Sequence, residues 1–218
     1  MSKKSRNDSE DDEEIKVIFV GDSGVGKTNL INTSVGIPFT EGKSPTISGS
    51  FVSKKITASN DVEFIANLWD TAGQETYREV TKLFFKGSEI ILLVFDITVK
   101  ESFESLKMWA KIVEEIIETE HIYGIVGNKN DLYLEKKVSD NEVKEFADSL
   151  KAQYKFVSAK NDPQSFSDLL KDLIEELKKI DRREKKNSIK LNKSVNSEKS
   201  SCFSWFSKLF QKNDKSKD

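Results

Sequence analysis

The chain has one cysteine, Cys202, and so cannot close an internal disulfide. Its N-terminus lacks the apolar stretch of a secretory leader, and no apolar run reaches the roughly 20 residues that a membrane-spanning helix needs. These absences point to a reduced, intracellular setting. His121 is the single histidine; with no ligand partners in view it is read as a surface residue just ahead of a strand. An excess of one charge sign is missing too. With 35 basic and 37 acidic residues the formal charge is −2, a balance that singles out no partner, and nucleic acid is not expected among them. No internal repeat is visible.

What remains suits one ordinary domain with tails. Residues 1–14 end in an acidic run, and 181–218 are rich in Lys, Ser and Asn; neither has the apolar periodicity needed to join a core. The expected division is an acidic disordered tail over 1–13, a domain over 14–180, and a basic, Ser-rich tail over 181–218 carrying an aromatic amphipathic segment, 202–210. Within the domain, strand-like runs at 15–21, 51–56, 62–70, 89–97, 121–129 and 155–159 alternate with helical patterns. The helices fall at 27 to about 36, near 76–86, at 101–119, near 139–151 and near 164–180. Runs such as IILLVF, apolar on both faces, suit a parallel sheet covered by helices on both sides. The pair 51–56 and 62–70, joined by TASND, reads as a hairpin that adds one antiparallel edge strand.

Three motifs carry chemistry. Gly21 to Thr28, GDSGVGKT, fits GxxxxGK[ST] and stands between a strand and a helix. Its glycines let main-chain N–H groups approach phosphate oxygens, and the following helix presents its positive end to the same anion. Ser23, Gly24, Val25, Gly26, Lys27, Thr28 and Asn29 are the candidate contacts. Lys27 would neutralise β- and γ-phosphate charge, and the Thr28 hydroxyl would bind Mg²⁺. Asn128, Lys129 and Asp131 fit NKxD after a strand. An ionised Asp131 carboxylate only accepts hydrogen bonds, so it matches the N1–H and 2-amino donors of guanine and would be left unpaired by adenine. Asn128 would tie the base to neighbouring loops, and the Lys129 stem would cover the ring face. The third motif is Asp70-Thr71-Ala72-Gly73-Gln74-Glu75. Asp70 is placed to hold a Mg²⁺ water, the Gly73 N–H to approach the γ-phosphate, and Gln74 to orient the attacking water. Thr46, in the loop before the hairpin, is a candidate second hydroxyl for Mg²⁺.

The ordered set GDSGVGKT, PT, WDTAGQE, NKND and SAK resembles the guanine-nucleotide motifs of Ras-superfamily GTPases over roughly 14–180. The stretches WDTAGQETYR, FDIT and ESFESLKMW are similar to the Rab branch. The resemblance implies an α/β P-loop NTPase fold: a mostly parallel six-stranded sheet, one antiparallel edge strand, and helices on both faces. It implies Mg²⁺-dependent binding of GTP and GDP, and slow hydrolysis with Gln74 and Lys27 as catalytic residues. By the same likeness Ala159, within Ser158-Ala159-Lys160, would offer its main-chain N–H to guanine O6, and Phe39 would stand at right angles to the base. The implied partners are effector proteins, a nucleotide exchange factor and a GTPase-activating protein.

Departures matter as well. Rab proteins commonly read IGVDF after the switch threonine, where this chain reads Ile47-Ser48-Gly49-Ser50-Phe51. Phe51, Trp69 and Phe84 resemble the family's aromatic triad, and they equally suit hairpin and helix core; both readings stand. The C-terminus has no prenylation signal. Placed on a helix, Cys202, Phe203, Trp205, Phe206, Leu209 and Phe210 share one arc of about 160°, which suits peripheral contact with an anionic membrane. The expected place is the cytoplasm and the cytosolic face of intracellular membranes. A Ras-like signalling GTPase, or a GTP-binding scaffold with little hydrolysis, is the alternative that the motifs leave open.

Overall fold

A computed structural model describes residues 13–42, 46, 49–71, 84–181 and 183. The chain divides into two units, Met1–Leu177 and Lys178–Asp218. Of the second, residues 178–181 and 183 are described, and they are helical.

In the first unit, β1 (Glu13–Val20), β2 (Ser50–Thr57), β3 (Glu63–Asp70), β4 (Ile90–Asp96), β5 (Ile122–Asn128) and β6 (Gln153–Phe156) form one sheet. Their order is β2-β3-β1-β4-β5-β6. β2 and β3 pair antiparallel, from Ser50 opposite Asp70 to Thr57 opposite Glu63; all other neighbours are parallel. The hairpin and the single antiparallel edge strand therefore stand as the sequence suggests. Successive strand residues point to opposite faces, and the core divides accordingly. Ile15, Val17 and Phe19 of β1 join Ile90 and Leu92 of β4 on one side. Helix α1 (Lys27–Ser34) and a last helix, α5, over 163–177 add Leu30, Phe166 and Leu173 there. Ile18, Val20, Ile91 and Leu93 face the other side, covered by α2 (Lys100–Glu104), α3 (Leu106–Ile116) and α4 (Asp140–Leu150) through Phe103, Leu106, Trp109 and Val143.

Three expectations shift. The amphipathic run 101–119 becomes two helical pieces that meet at Ser105, and the second stops at Ile116. Ile117 is extended (φ −94°, ψ 110°) yet buried, so the apolar pattern outlasts the helix because the chain still has core to cover on its way to β5. The last strand was expected at 155–159 and runs Gln153–Phe156. Beyond it the Val157 N–H still reaches the Gly127 carbonyl, while the Val157 carbonyl accepts from Asn130, so the chain leaves the sheet to pair with a loop. His121 does precede a strand, but its side chain is largely covered: it lies 3.5 Å from Glu114, bonds the Thr119 carbonyl and meets the Tyr123 ring edge-on. The helix expected near 76–86 falls mostly on 72–83, outside the described residues.

Candidate functional site

The carboxyl ends of β1, β3, β4 and β5 all open on one edge of the sheet, where ligands of parallel α/β folds sit. There Gly21, Asp70, Asp96 and Asn128 end or follow their strands, and Asn128 lines a cavity of about 410 Å³ at this edge.

At one end the loop 21–26 leads into α1. Gly26 caps the helix with φ 102°, in the left-handed region, and no side chain caps it; the first turn holds no acid. A Cβ on Gly26 would lie 2.3 Å from Asn128 Nδ2, so glycine is needed for conformation and for space. The helix start is thus left with unfilled N–H groups facing the cavity. Lys27, 5 % exposed, donates from Nζ to the carbonyls of Gly21 (2.7 Å) and Asp22 (2.9 Å). Burial lowers its pKa to about 8, opposed by the Asp70 and Asp22 carboxylates. Ser23, Gly24, Gly26, Thr28 and Asn29 line the same end, while the Val25 side chain turns into the core.

Three oxygen-bearing side chains meet beside Lys27. Thr28 Oγ1 donates to Asp70 Oδ2 at 2.7 Å and lies 2.9 Å from Thr46 Oγ1, itself 3.5 Å from the same carboxylate. Two hydroxyls and a buried carboxylate, with no nitrogen or sulfur, form a hard donor set of the kind Mg²⁺ takes. Gly73 and Gln74 lie outside the described residues.

At the other end Asn128, 2 % exposed, joins two loops: its Nδ2 donates to the Val25 carbonyl (2.8 Å) and its Oδ1 accepts from the Ala159 N–H (3.2 Å). Ser158 Oγ donates to Asp131 Oδ1 at 2.5 Å, and the Asn161 N–H donates back to Ser158 Oγ at 2.9 Å. One Asp131 oxygen is thereby held in place. Lys129 adopts φ 65°, and its ammonium meets Asp96 Oδ2 at 2.6 Å, which leaves its stem along the cavity wall. Phe39 and Lys160 complete this end, with Lys160 Nζ 5.8 Å from the Phe39 ring centre and 2.7 Å from Glu41.

The fold therefore gathers Thr28, Thr46 and Asp70 at one end and Asn128, Asp131 and Ala159 at the other. Sequence reasoning missed Asp96, which anchors Lys129, and Glu41, which pairs with Lys160. It also missed Trp109, whose indole meets Asp22. The acid of the FDIT stretch is the one sequence signal for Asp96. Phe51, Trp69 and Phe84 form a continuous aromatic row, stacked at 4.9 Å (21°) and tilted at 5.6 Å (44°). Phe51 is 56 % exposed, while Trp69 and Phe84 pack against the core, so both readings of the triad describe part of it.

A P-loop on an open α/β sheet, sharing one cavity with an NKxD loop, defines a guanine-nucleotide-binding protein. Residues 16–179 match the Ras family. The chain is 38 % identical to Ras-related protein Rab-11C of Dictyostelium discoideum over 161 residues, covering 72 % of this chain and 71 % of the relative. It is 36 % identical to human Rab-22A over 148 residues (68 % and 76 %) and 34 % identical to rat Rab-31 over 192 residues (87 % and 97 %). The chain belongs to the Ras family and is a Rab-like small GTPase, an enzyme that binds guanine nucleotide and hydrolyses GTP. Among the described residues no helix is long and apolar enough to cross a membrane.

Proposed function

We propose that the cavity takes the guanine base at its Asn128–Asp131 end and the phosphates at its Lys27–Thr28 end. The chain then serves as a Mg²⁺-dependent molecular switch in vesicle and membrane trafficking. The observation that carries this is the convergence of two different donor sets on one cavity: hard oxygens and a buried ammonium at one end, a positioned carboxylate and amide at the other. Asp131 accepts from the two guanine donors while Ser158 orients it. Ala159 would turn its N–H from Asn128 Oδ1 to the base, Lys129 and Phe39 enclose the ring, and Lys160 closes the mouth. Thr28, Thr46 and Asp70 would hold Mg²⁺, which when bound neutralises phosphate charge. Gly73 and Gln74 serve the γ-phosphate and the attacking water. Loss of the γ-phosphate releases the Thr46 and Gly73 loops, and effectors, an exchange factor and an activating protein read the two states. The exposed Phe51 with Trp69 and Phe84 offers such partners an aromatic face. For membranes, the apolar arc of 202–210 supports peripheral attachment, with Cys202 able to accept an acyl chain.

Nucleotide exchange tests the base assignment. Asp131→Asn replaces an acceptor by a donor and should weaken GTP while improving xanthosine triphosphate, whose C2 bears a carbonyl. Equal affinity of the native chain for ATP and GTP would refute the reading.

A further inference from the structure

We infer that Trp109 and Asp22 are a positioning pair, in which the buried indole of α3 fixes the second residue of the phosphate loop and, through it, the seat of the Lys27 ammonium. The inference rests on the reading of residues 21–28 as the phosphate seat.

An acid in this loop needs a reason, because a carboxylate repels the polyanion that the loop is read as holding. The geometry supplies one. Trp109 is 2 % exposed within the core between the sheet and α3, and a buried indole N–H has a single hydrogen to donate and needs an acceptor. It donates to Asp22 Oδ1 at 2.8 Å, across 87 residues of sequence. Bonds to a charged acceptor are among the stronger ones. The main-chain carbonyl of the same Asp22 receives Lys27 Nζ at 2.9 Å, alongside that of Gly21 at 2.7 Å. Gly21 is held from the sheet side, where a Cβ would come within 2.1 Å of the Val94 carbonyl. Gly21 is therefore pressed on β4 and Asp22 is tied to α3, and the carbonyls of these two residues are the ones that aim Lys27. The side chain of Asp22 faces the helix, its main chain the ammonium. Trp109 does not line the cavity; it acts through Asp22.

The test compares two neutral replacements, so that charge is held constant. Asp22→Asn keeps an acceptor oxygen for the indole, and Asp22→Ala does not. In the full-length protein, displacement of a fluorescent GDP should be about fivefold faster from Asp22→Ala than from Asp22→Asn, the scale of one neutral hydrogen bond. Trp109→Phe keeps an aromatic ring but removes the donor, and should accelerate release by a similar factor. Combined with Asp22→Ala it should add little, because both changes remove the same bond. Equal release rates from Asp22→Ala and Asp22→Asn overturn the pair, and so do effects of Trp109→Phe and Asp22→Ala that multiply. If Trp109→Phe does not fold, the comparison at Asp22 decides alone. Lys27→Ala separates this from the site assignment. Undiminished GDP affinity in that variant overturns the phosphate seat itself, whereas weakened affinity with equal rates at Asp22 overturns only the pair.

Discussion

Lys27 shows how one residue links burial to ligand affinity. Its ammonium is nearly enclosed, and desolvation holds its pKa down to about 8 against the pull of Asp70 and Asp22. Phosphates seated beside it, as proposed, would favour the charged form and so raise its pKa in the complex above that of the free chain. Between the two values the complex would hold more protons, so binding should take up a proton and affinity should fall as pH rises through about 8. Calorimetry of GDP binding near pH 8.5, in buffers of different ionisation enthalpy, should read that uptake; heats independent of buffer would contradict it. Gln74 makes a different prediction. Gln74→Leu should leave nucleotide affinity nearly intact and abolish factor-stimulated hydrolysis, because on the proposed reading the lost amide would serve the attacking water and not the bound ground state. Unchanged stimulated turnover would remove Gln74 from the mechanism. The residues readable in advance were those in contiguous motifs, where spacing alone encodes a loop. Asp96, Glu41 and Trp109 were not, because each meets its partner across a long separation: Lys160 lies 119 residues from Glu41 and Trp109 lies 87 from Asp22.

Elements were legible where burial is two-sided. β4 is buried at every position, and its unbroken apolar run announced a central parallel strand. Alternation in β3, with Phe64, Ala66, Leu68 and Asp70 buried, announced the hairpin partner. Element ends were less legible, because Ile117 and Val157 stay buried after their helix and strand have stopped, and burial says nothing of backbone pairing. The glycines of β5 set a further limit. A Cβ on Gly124 would fall 2.6 Å from Leu173 Cδ1 of α5 and 2.8 Å from Leu92 Cδ2 of β4, so this strand has no spare volume on that face. Gly124→Val should cost about 1–3 kcal/mol by overpacking, read as a lower urea midpoint at an unchanged slope. A midpoint equal to that of the native chain would mean that α5 yields freely.

For the whole molecule, the proposed division at 180/181 predicts separable functions. A chain ending at residue 180 should keep native GDP affinity and melting temperature, and the full chain alone should float with anionic liposomes. Trp205→Glu with Phe206→Glu should abolish flotation while leaving GDP affinity unchanged, since a single short apolar segment would hold a bilayer weakly; residues 202–210 lie outside the described residues. Retained flotation of the double variant would exclude the 202–210 face as the contact. The fold as a whole was legible because motif order and strand pattern agree; the tails were legible only as composition, which fixes no geometry.

The position of β1 has a consequence in time. It is the first strand to be synthesised, yet it lies inside the sheet between β3 and β4. At about 5–20 residues per second, Val20 leaves the ribosome several seconds before Asp96 does, and through that interval the strand has no complete set of neighbours. Its buried residues, Ile15 to Val20 apart from Lys16, would meanwhile be open to chaperones or to other nascent chains. The cradle is finished later still, because Ser23 and Lys160 border the same cavity. On the proposed site assignment, nucleotide capture waits for the cavity to be complete: a chain stalled before the Ser158-Ala159-Lys160 loop has emerged would lack one wall of the site, and with it the full stabilisation that bound ligand supplies.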